Sequence, residues 1–358
     1  MKIKELQKYL RQQKIDVALL MNLHSIEANP NLYYFTQYEG NGVLVIPSSS
    51  SPLLVVPDME AERARRTSTI KTIKTWPKKG RLFVEIKKLF GKKRIKTIGV
   101  DAASLSLLLS KAIKKGFQGG RFTDIGEYCR CLRAVKTKEE IALIKKAFSI
   151  TNVIVNSTIK NFKKFKTEQD VATFLRIETI KNGCELSFPP IVASGKNAAM
   201  PHYSPQHVPL QNGFCVVDFG IKYNGYCTDI TRTVFLGKPS ERDIGLYNFI
   251  LRAQEKSISL IQKGIKTAFL YKQMQKDLRH YARFFTHGLG HGVGLEIHEL
   301  PNLSLNSKEK IGNNMTFTIE PGIYIPGKFG IRIEDTVLFT NKVDVLTKVS
   351  KKLMVIAK

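Results

Sequence analysis

Histidine and glycine are concentrated in one short segment of the sequence, residues 287–299. It contains three of the chain's seven histidines, His287, His291 and His298, together with four glycines. Glycine is a poor helix former, so the segment favours extended chain and loop over helix. An imidazole held on such a backbone is typically a metal ligand or a proton donor. A polar loop with incidental histidines is the simpler interpretation of this segment taken alone.

Two aspartates precede this segment in a pattern typical of a β-hairpin. Runs rich in β-forming residues flank the turn-like residues 222–225. If Ile221 pairs with Tyr226, Asp218 lies opposite Asp229 on the same face, with Cβ atoms about 5 Å apart. Two ionised carboxylates this close repel each other, and a bound divalent cation would remove the repulsion. The alternative, a pair of solvated surface aspartates, is disfavoured by the apolar residues around them.

Two glutamates follow the segment at a similar spacing. Glu320 and Glu334 are symmetric about Gly327, within strand-like runs that are interrupted by glycine and proline. They are therefore predicted to face each other as well. Arg332 shares a strand face with Glu334 and would keep a neighbouring carboxylate ionised. An ordinary ion pair within one strand is the alternative for Arg332 and Glu334.

Together these residues supply two aspartates, at least one histidine and two glutamates. Carboxylate-rich sets with few imidazoles suit Mn²⁺, Co²⁺ or Zn²⁺. Two such ions about 3.5–4 Å apart that share carboxylates are typical of hydrolytic enzymes. A thiolate zinc site is not expected, because the sequence has no Cys-x-x-Cys pair.

The order of these residues resembles the metal-ligand series of the pita-bread metallopeptidases, which include Xaa-Pro aminopeptidases, prolidases and methionine aminopeptidases. The series is Asp218, Asp229, His291, Glu320 and Glu334. Residues 193–203 and 287–299 resemble motifs of the proline-peptidase branch, as do Thr-Asp-Ile-Thr-Arg-Thr, Ile-Glu-Pro-Gly-Ile-Tyr and Arg-Ile-Glu-Asp. The resemblance is strong over residues 137–345 and weaker in the N-terminal part, at residues 29–36.

The resemblance implies a role for each residue of the site. The five residues of the series would bind two divalent ions, with Asp229 and Glu334 bridging them; Mn²⁺ is preferred, and Co²⁺ or Zn²⁺ are alternatives. A hydroxide shared by the ions would attack the scissile carbonyl, and Glu320 would pass the proton to the proline nitrogen. His202 and His298 would donate hydrogen bonds to the substrate or the tetrahedral oxyanion.

The resemblance also assigns residues beside the metal ligands. His287 would line the pocket, and Arg332 would hold a metal-binding carboxylate in place. Tyr324 fits a pocket wall and the core equally well. His24, His207 and His280 lie in no motif and have no assigned role.

Length and pattern predict two domains. Strands at 16–21, 42–46, 53–56 and 98–100 alternate with helices at 2–13, 58–66, 81–90 and 103–115, which favours an α/β N-terminal domain of the creatinase type over residues 1–125. A linker is predicted at 126–136. Capping signals at Thr167 and Ser240 begin helices of an α+β pita-bread catalytic domain over 137–358.

The composition of the chain limits which partners and which cellular compartment are expected. The formal net charge is +27, carried mostly by lysines in short, dispersed clusters. This favours a lysine-rich solvated surface over a polyanion contact, and no specific nucleic-acid partner is expected. No apolar run reaches the roughly 20 residues that span a membrane. The five scattered cysteines fit free thiols in a reducing compartment, so a cytoplasmic protein without a membrane partner is expected. We also expect a homodimer.

Three functions remain open at this level. The preferred one is a metal-dependent Xaa-Pro aminopeptidase, which releases the residue that precedes proline at the N-terminus of a peptide. The alternative is an Xaa-Pro dipeptidase (prolidase), since the groups that would bind a product carboxylate cannot be placed from the sequence. The third is a non-catalytic pita-bread binding protein, which the complete set of ligand residues disfavours.

Overall fold

The chain divides into two compact units, Met1–Leu132 and Arg133–Lys358. The structure, a computed structural model, describes residues 2–23, 29–76 and 81–357, so His24 lies outside the described residues. The division between the units falls inside the segment predicted as a linker, residues 126–136. Most of that segment is a helix, Gly126–Ala134.

The first unit is an α/β unit built on a mixed sheet. Its helices are α1 (Lys2–Gln12), α2 (Pro30–Thr36), α3 (Ala61–Thr67), α4 (Leu82–Lys88), α5 (Leu107–Gly116) and α6 (Gly126–Ala134, which continues into the second unit). Its strands are β1 (Val17–Asn22), β2 (Gly42–Pro47), β3 (Leu53–Pro57), β4 (Ile73–Trp76), β5 (Thr97–Val100) and β6 (Arg121–Asp124). The strand order is β4-β3-β2-β1-β5-β6.

The second unit packs helices over mostly antiparallel sheets. Its helices are α7 (Lys138–Asn161), α8 (Glu168–Lys181), α9 (Glu241–Ser259) and α10 (Thr267–Leu278). Its strands are β7 (Glu185–Leu186), β8 (Ile191–Ser194), β9 (Gly213–Phe219), β10 (Ile221–Tyr223), β11 (Tyr226–Cys227), β12 (Ile230–Leu236), β13 (Gly290–Gly292), β14 (Glu299–Leu303), β15 (Met315–Ile319), β16 (Gly322–Ile325), β17 (Phe329–Arg332), β18 (Asp335–Phe339), β19 (Val343–Val345) and β20 (Met354–Ile356). Thr167 and Ser240 each form the capping box predicted for them.

Two apolar clusters hold these layers together. In one, α8 packs through Val171 and Leu175 on Val192 and Val217 of the sheet β20-β12-β9-β8. In the other, helix α9 and its neighbour α10 cover the sheet β14-β13-β15-β18-β19 through Tyr247, Ile250, Leu270, Phe317 and Val337. Each such side chain contributes about 1.5–3 kcal/mol when it is removed from water. The clusters therefore fix the strands from which the candidate site projects.

The register of the first hairpin differs from the predicted one by two residues. Asp218 lies opposite Thr231, not Asp229. The reason is the two-residue turn at Asn224 and Gly225, whose positive φ angles of 46° and 82° are those of a type I′ turn. The turn pairs the residues that flank it, so the strands slide by two positions. A shift of two keeps Asp229 on the same face as Asp218.

The register of the second hairpin is the predicted one. Ile319 pairs with Asp335 and Gly322 pairs with Arg332, and both pairs are symmetric about Gly327. Glu320 and Glu334 lie opposite each other in the short interruption between these paired segments. Interrupted pairing leaves their carboxylates free to turn away from the ladder toward the first hairpin.

The described residues also bear on the predicted compartment. Across 2–23, 29–76 and 81–357, no helix combines the length and the apolar character needed to cross a membrane. Among the described residues, the five cysteines form no disulfide bond: Cys129, Cys131, Cys184, Cys215 and Cys227. A cytoplasmic location and a homodimer stay predictions.

Candidate active site

A cavity of about 680 Å³ opens in the second unit, a volume within the usual range of ligand pockets. Every residue predicted for the site lines it: His202, Asp218, Asp229, His287, His291, His298, Glu320, Arg332 and Glu334. These residues come from separate strands and loops, so only the tertiary fold brings them together.

Three carboxylates converge at one end of the cavity. Asp218, Asp229 and Glu334 each offer an oxygen, and these oxygens all lie within 4.8 Å of one another. Among the described residues, Asp218 Oδ1 and Glu334 Oε1 are buried without a hydrogen-bond partner. Buried polar atoms are rarely left unpaired. Oxygen donors that converge in this way fit a divalent cation in both charge and chemistry.

His291 and Glu320 lie at the edge of this cluster. His291 Nε2 is 3.5 Å from Asp229 Oδ2 and 3.3 Å from Glu320 Oε1. The other ring nitrogen, Nδ1, lies 3.1 Å from the carbonyl oxygen of Gly292, so it carries the hydrogen. The lone pair of Nε2 is therefore directed toward the carboxylates, as a metal ligand requires.

A glycine allows β13 to bring His291 this close to β15. A Cβ at Gly290 would lie 2.0 Å from the carbonyl oxygen of Thr318. No side chain fits at that distance, so the close approach depends on glycine. Thr318 also donates a hydrogen bond to Glu320 Oε1 at 3.1 Å.

Burial dominates the electrostatics of the carboxylates. Burial raises the pKa of Asp229 well above its ordinary value, and the charges of Glu334 and Asp218 raise it further. Burial and the neighbouring Glu320 likewise raise the pKa of Glu334. Burial also raises the pKa of Glu320. Without a cation, the charged forms of these carboxylates are therefore destabilised by burial and by their mutual repulsion.

Arg332 organises the cluster from behind. Its buried guanidinium donates hydrogen bonds to Asp218 Oδ2 at 2.6 Å, to the Tyr324 hydroxyl at 2.7 Å and to Thr231 Oγ1 at 3.0 Å. Thr231 in turn donates to Glu334 Oε2 at 2.7 Å. The ion pair of Arg332 is therefore with Asp218, and its link to Glu334 passes through a threonine hydroxyl.

The histidines occupy distinct positions along the cavity. His287 Nε2 lies 2.9 Å from the Tyr324 hydroxyl and Nδ1 lies 2.7 Å from the carbonyl oxygen of Gly288. Burial lowers the pKa of His287 and of His291, so both rings are neutral near pH 7. The ring of His298 stands almost perpendicular to that of His291, with centroids 4.3 Å apart, and both His298 and His202 are exposed at the cavity.

Two residues of the site were not predicted from the sequence. Thr231 bridges Arg332 and Glu334, and its place in the Thr-Asp-Ile-Thr-Arg motif was the only signal for it. Arg176 of α8 lines the cavity but lies in no motif, so nothing in the sequence pointed to it. Tyr324, which was open between pocket wall and core, is buried and contacts both His287 and Arg332.

Comparison with known proteins identifies the family. The family model "Metallopeptidase family M24" matches residues 142–341, and the model "Creatinase/Prolidase N-terminal domain" matches residues 2–135. An Xaa-Pro dipeptidase of Pyrococcus furiosus is 34% identical over 99% of both chains.

Solved structures agree over nearly the whole chain. The prolidase from Pyrococcus horikoshii OT3 is 32% identical, with a TM-score of 0.89 over 99% of both chains. The X-Pro aminopeptidase from Thermotoga maritima MSB8 is 32% identical, with a TM-score of 0.88 over 98% of this chain and 100% of that one. These matches confirm the predicted fold, an α/β N-terminal unit and an α+β pita-bread unit. The chain therefore belongs to metallopeptidase family M24 and is a peptidase with a creatinase/prolidase-type N-terminal domain.

Proposed function

We propose that the protein is a proline peptidase and, within that class, an Xaa-Pro dipeptidase. The observation that carries the proposal is the convergence of Asp218, Asp229 and Glu334, with His291 and Glu320 at their edge. The names of relatives that match the full length of the chain support proline specificity. They favour the dipeptidase over the aminopeptidase that the sequence analysis preferred. A non-catalytic binding protein has no support, because the chain belongs to a peptidase family.

Two divalent ions are proposed at this site, with Mn²⁺ preferred to Co²⁺ or Zn²⁺. Asp218, Asp229, His291, Glu320 and Glu334 would hold them. When bound, the ions supply a Lewis acid and lower the pKa of water, so that a nucleophile is available at neutral pH. The two unpaired carboxylate oxygens described above are the observation that this set of ligands explains.

Glu320 is proposed to move the proton. Its Oε1 is held by Thr318, and burial raises its pKa, which makes it a stronger proton acceptor than an exposed glutamate. It would take a proton from the attacking water and give it to the proline nitrogen as the bond breaks. His298 and His202 are exposed at the cavity and would donate hydrogen bonds to the substrate carbonyl as negative charge develops there.

The cavity wall supports a preference for proline. A proline nitrogen carries no hydrogen and the ring fixes φ, so an Xaa-Pro bond needs a pocket shaped for the ring. Phe188, Pro189, Pro190 and Ile191 line the same cavity as the carboxylates. Their apolar surfaces suit the pyrrolidine ring and offer no hydrogen bond to an amide N–H. Replacing proline by alanine in the substrate is therefore expected to lower kcat/KM.

Arg176 supports restriction to dipeptides. It lines the same cavity and is half-buried, and within the described ranges its guanidinium forms no ion pair. An Xaa-Pro dipeptide has a free carboxylate, which a guanidinium can bind through two parallel hydrogen bonds. A longer peptide has an amide at that position, which lacks the charge.

The experiment is product analysis by mass spectrometry with Xaa-Pro, its amide Xaa-Pro-NH₂ and Xaa-Pro-Yaa. We expect the dipeptide to be cleaved with the highest kcat/KM. R176A is expected to lower kcat/KM for Xaa-Pro about 10- to 150-fold, which corresponds to the loss of 1.5–3 kcal/mol from one hydrogen bond to a charged group. The amide should be much less affected. The matched control is K181A, which removes an exposed cation from the same helix. Efficient cleavage of Xaa-Pro-Yaa at the first bond would instead assign an aminopeptidase.

A further inference from the structure

A buried cluster of one carboxylate and two cations lies beside the loop that carries His298. The side chains of Glu299 and Lys136 are each 1% exposed, and that of Arg133 is 2% exposed. Lys136 Nζ lies 3.0 Å from Glu299 Oε2, and Arg133 Nε lies 3.2 Å from Glu299 Oε1. None of these three side chains lines the cavity, so the cluster has no direct contact with a substrate there.

The same carboxylate organises the backbone of the loop. Glu299 Oε1 accepts hydrogen bonds from the N–H groups of Leu295 at 3.1 Å and Glu296 at 3.2 Å. A Cβ at Gly294 would lie 2.3 Å from Glu299 Oε2, so the carboxylate fills the space that this glycine leaves open. Residues 294–299 therefore wrap around one buried carboxylate, and His298 is its immediate neighbour in the chain.

The cations are themselves held firmly and come from a distant part of the chain. Lys136 lies 163 positions before Glu299 and also donates from Nζ to the carbonyl oxygen of Arg133 at 2.7 Å. Its backbone N–H donates to the carbonyl oxygen of Asn314 at 2.8 Å. Lys136 is thus fixed at both its backbone and its ammonium group, and it provides a rigid anchor for Glu299.

Burying charges is costly, and a buried ion pair is weak support for stability by itself. What this cluster does specify is geometry, because a carboxylate with three hydrogen-bond donors and a second cation beside it has little freedom to move. We infer that Glu299, held by Lys136 and Arg133, is a positioning residue that sets the ring of His298 against His291. The inference rests on the role proposed above for His298. The cluster therefore affects kcat by orienting the imidazole ring of His298.

The test starts from K136M, which removes one cation and leaves Arg133 paired with Glu299. We expect kcat for Xaa-Pro to fall about 10- to 100-fold, by analogy with the scale for groups that orient metal-ligating side chains. KM and bound Mn²⁺ should change little. The matched control is K145M, because Lys145 also pairs with a carboxylate, Asp344, at 2.9 Å but is half-exposed. K145M should retain wild-type kcat.

A double-mutant cycle separates positioning from general destabilisation. In an H298A background, K136M is expected to cause no further loss of kcat, because the ring that it positions is already gone. Equal losses in the two backgrounds would overturn the inference while leaving the role of His298 intact. Wild-type kcat in K136M would overturn it as well. Wild-type kcat in H298A would overturn the proposed role of His298 and the inference with it. If K136M does not fold, K136R takes its place in the double-mutant cycle with H298A, because it keeps the charge but displaces the Glu299 carboxylate.

Discussion

Replacing Arg332 by lysine tests how the carboxylate cluster is held. Lysine keeps the positive charge, but its single ammonium cannot contact Asp218, Tyr324 and Thr231 at once. The structure places these three acceptors 2.6, 2.7 and 3.0 Å from three different guanidinium nitrogens. Because Thr231 also donates to Glu334, the substitution loosens two carboxylates of the cluster together.

The expected magnitude follows from these contacts. One hydrogen bond to a charged group contributes about 1.5–3 kcal/mol, which is about a 10- to 150-fold change in an equilibrium constant. Part of that lost free energy lowers the stability of the fold. Substitutions of groups that orient metal ligands typically weaken metal binding 10- to 100-fold. We therefore expect the Kd of R332K for Mn²⁺ to rise about 10- to 100-fold, with kcat largely recovered at saturating Mn²⁺.

The assay is isothermal titration calorimetry of Mn²⁺ into chelator-treated protein, with hydrolysis of Xaa-Pro followed in parallel. R66K is a suitable control, because Arg66 is an exposed arginine that pairs with a glutamate on the surface of the first unit. An unchanged Kd in a folded R332K protein would contradict this role of Arg332. It would mean that Asp218 and Glu334 hold their positions without the guanidinium.

Three further predictions concern the same cluster. D229N should abolish turnover and Mn²⁺ binding yet raise the Tm of the metal-free protein, because it removes one charge from mutually repelling carboxylates; differential scanning calorimetry with and without Mn²⁺ checks both effects. The pKa values of Asp229 and Glu334 are raised in the folded state, so the metal-free protein loses stability as the pH rises through these values. As the pH falls, protons compete with the metal for the same carboxylates. The increase in Tm on adding Mn²⁺ should therefore be largest at alkaline pH and shrink toward acid pH; a pH-independent increase would contradict this. E320Q should lower kcat by at least about 100-fold, the scale of a lost general acid–base group, and near-wild-type turnover in steady-state kinetics would assign Glu320 a structural role.

The types and order of the site residues could be predicted from the sequence because they depend on local patterns. The symmetry of Glu320 and Glu334 about Gly327 needed only a count of positions, and the structure has that register. The register of Asp218 was wrong because it depends on where the turn closes. Asn224 and Gly225, which have positive φ angles, form a two-residue turn that is closed by Tyr223 and Tyr226. The prediction had placed Tyr223 inside the turn.

Other contacts depend on the tertiary fold and leave no local signal. Arg332 lies 114 positions from Asp218, its ion-pair partner, so the sequence offered only the nearby Glu334. Strands β4 and β6 are short edge strands with no buried residue, and their patterns are too weak to separate them from loops. The pairing of Lys136 with Glu299 is equally remote in sequence.

The metal dependence of hydrolysis is tested most directly by product mass spectrometry of an Xaa-Pro dipeptide incubated with metal-free protein, before and after addition of Mn²⁺. We expect no products without metal, and release of both the N-terminal amino acid and proline once Mn²⁺ is present. Equal release in a preparation verified to be free of metal would contradict the proposal that Asp218, Asp229 and Glu334 form the catalytic metal centre.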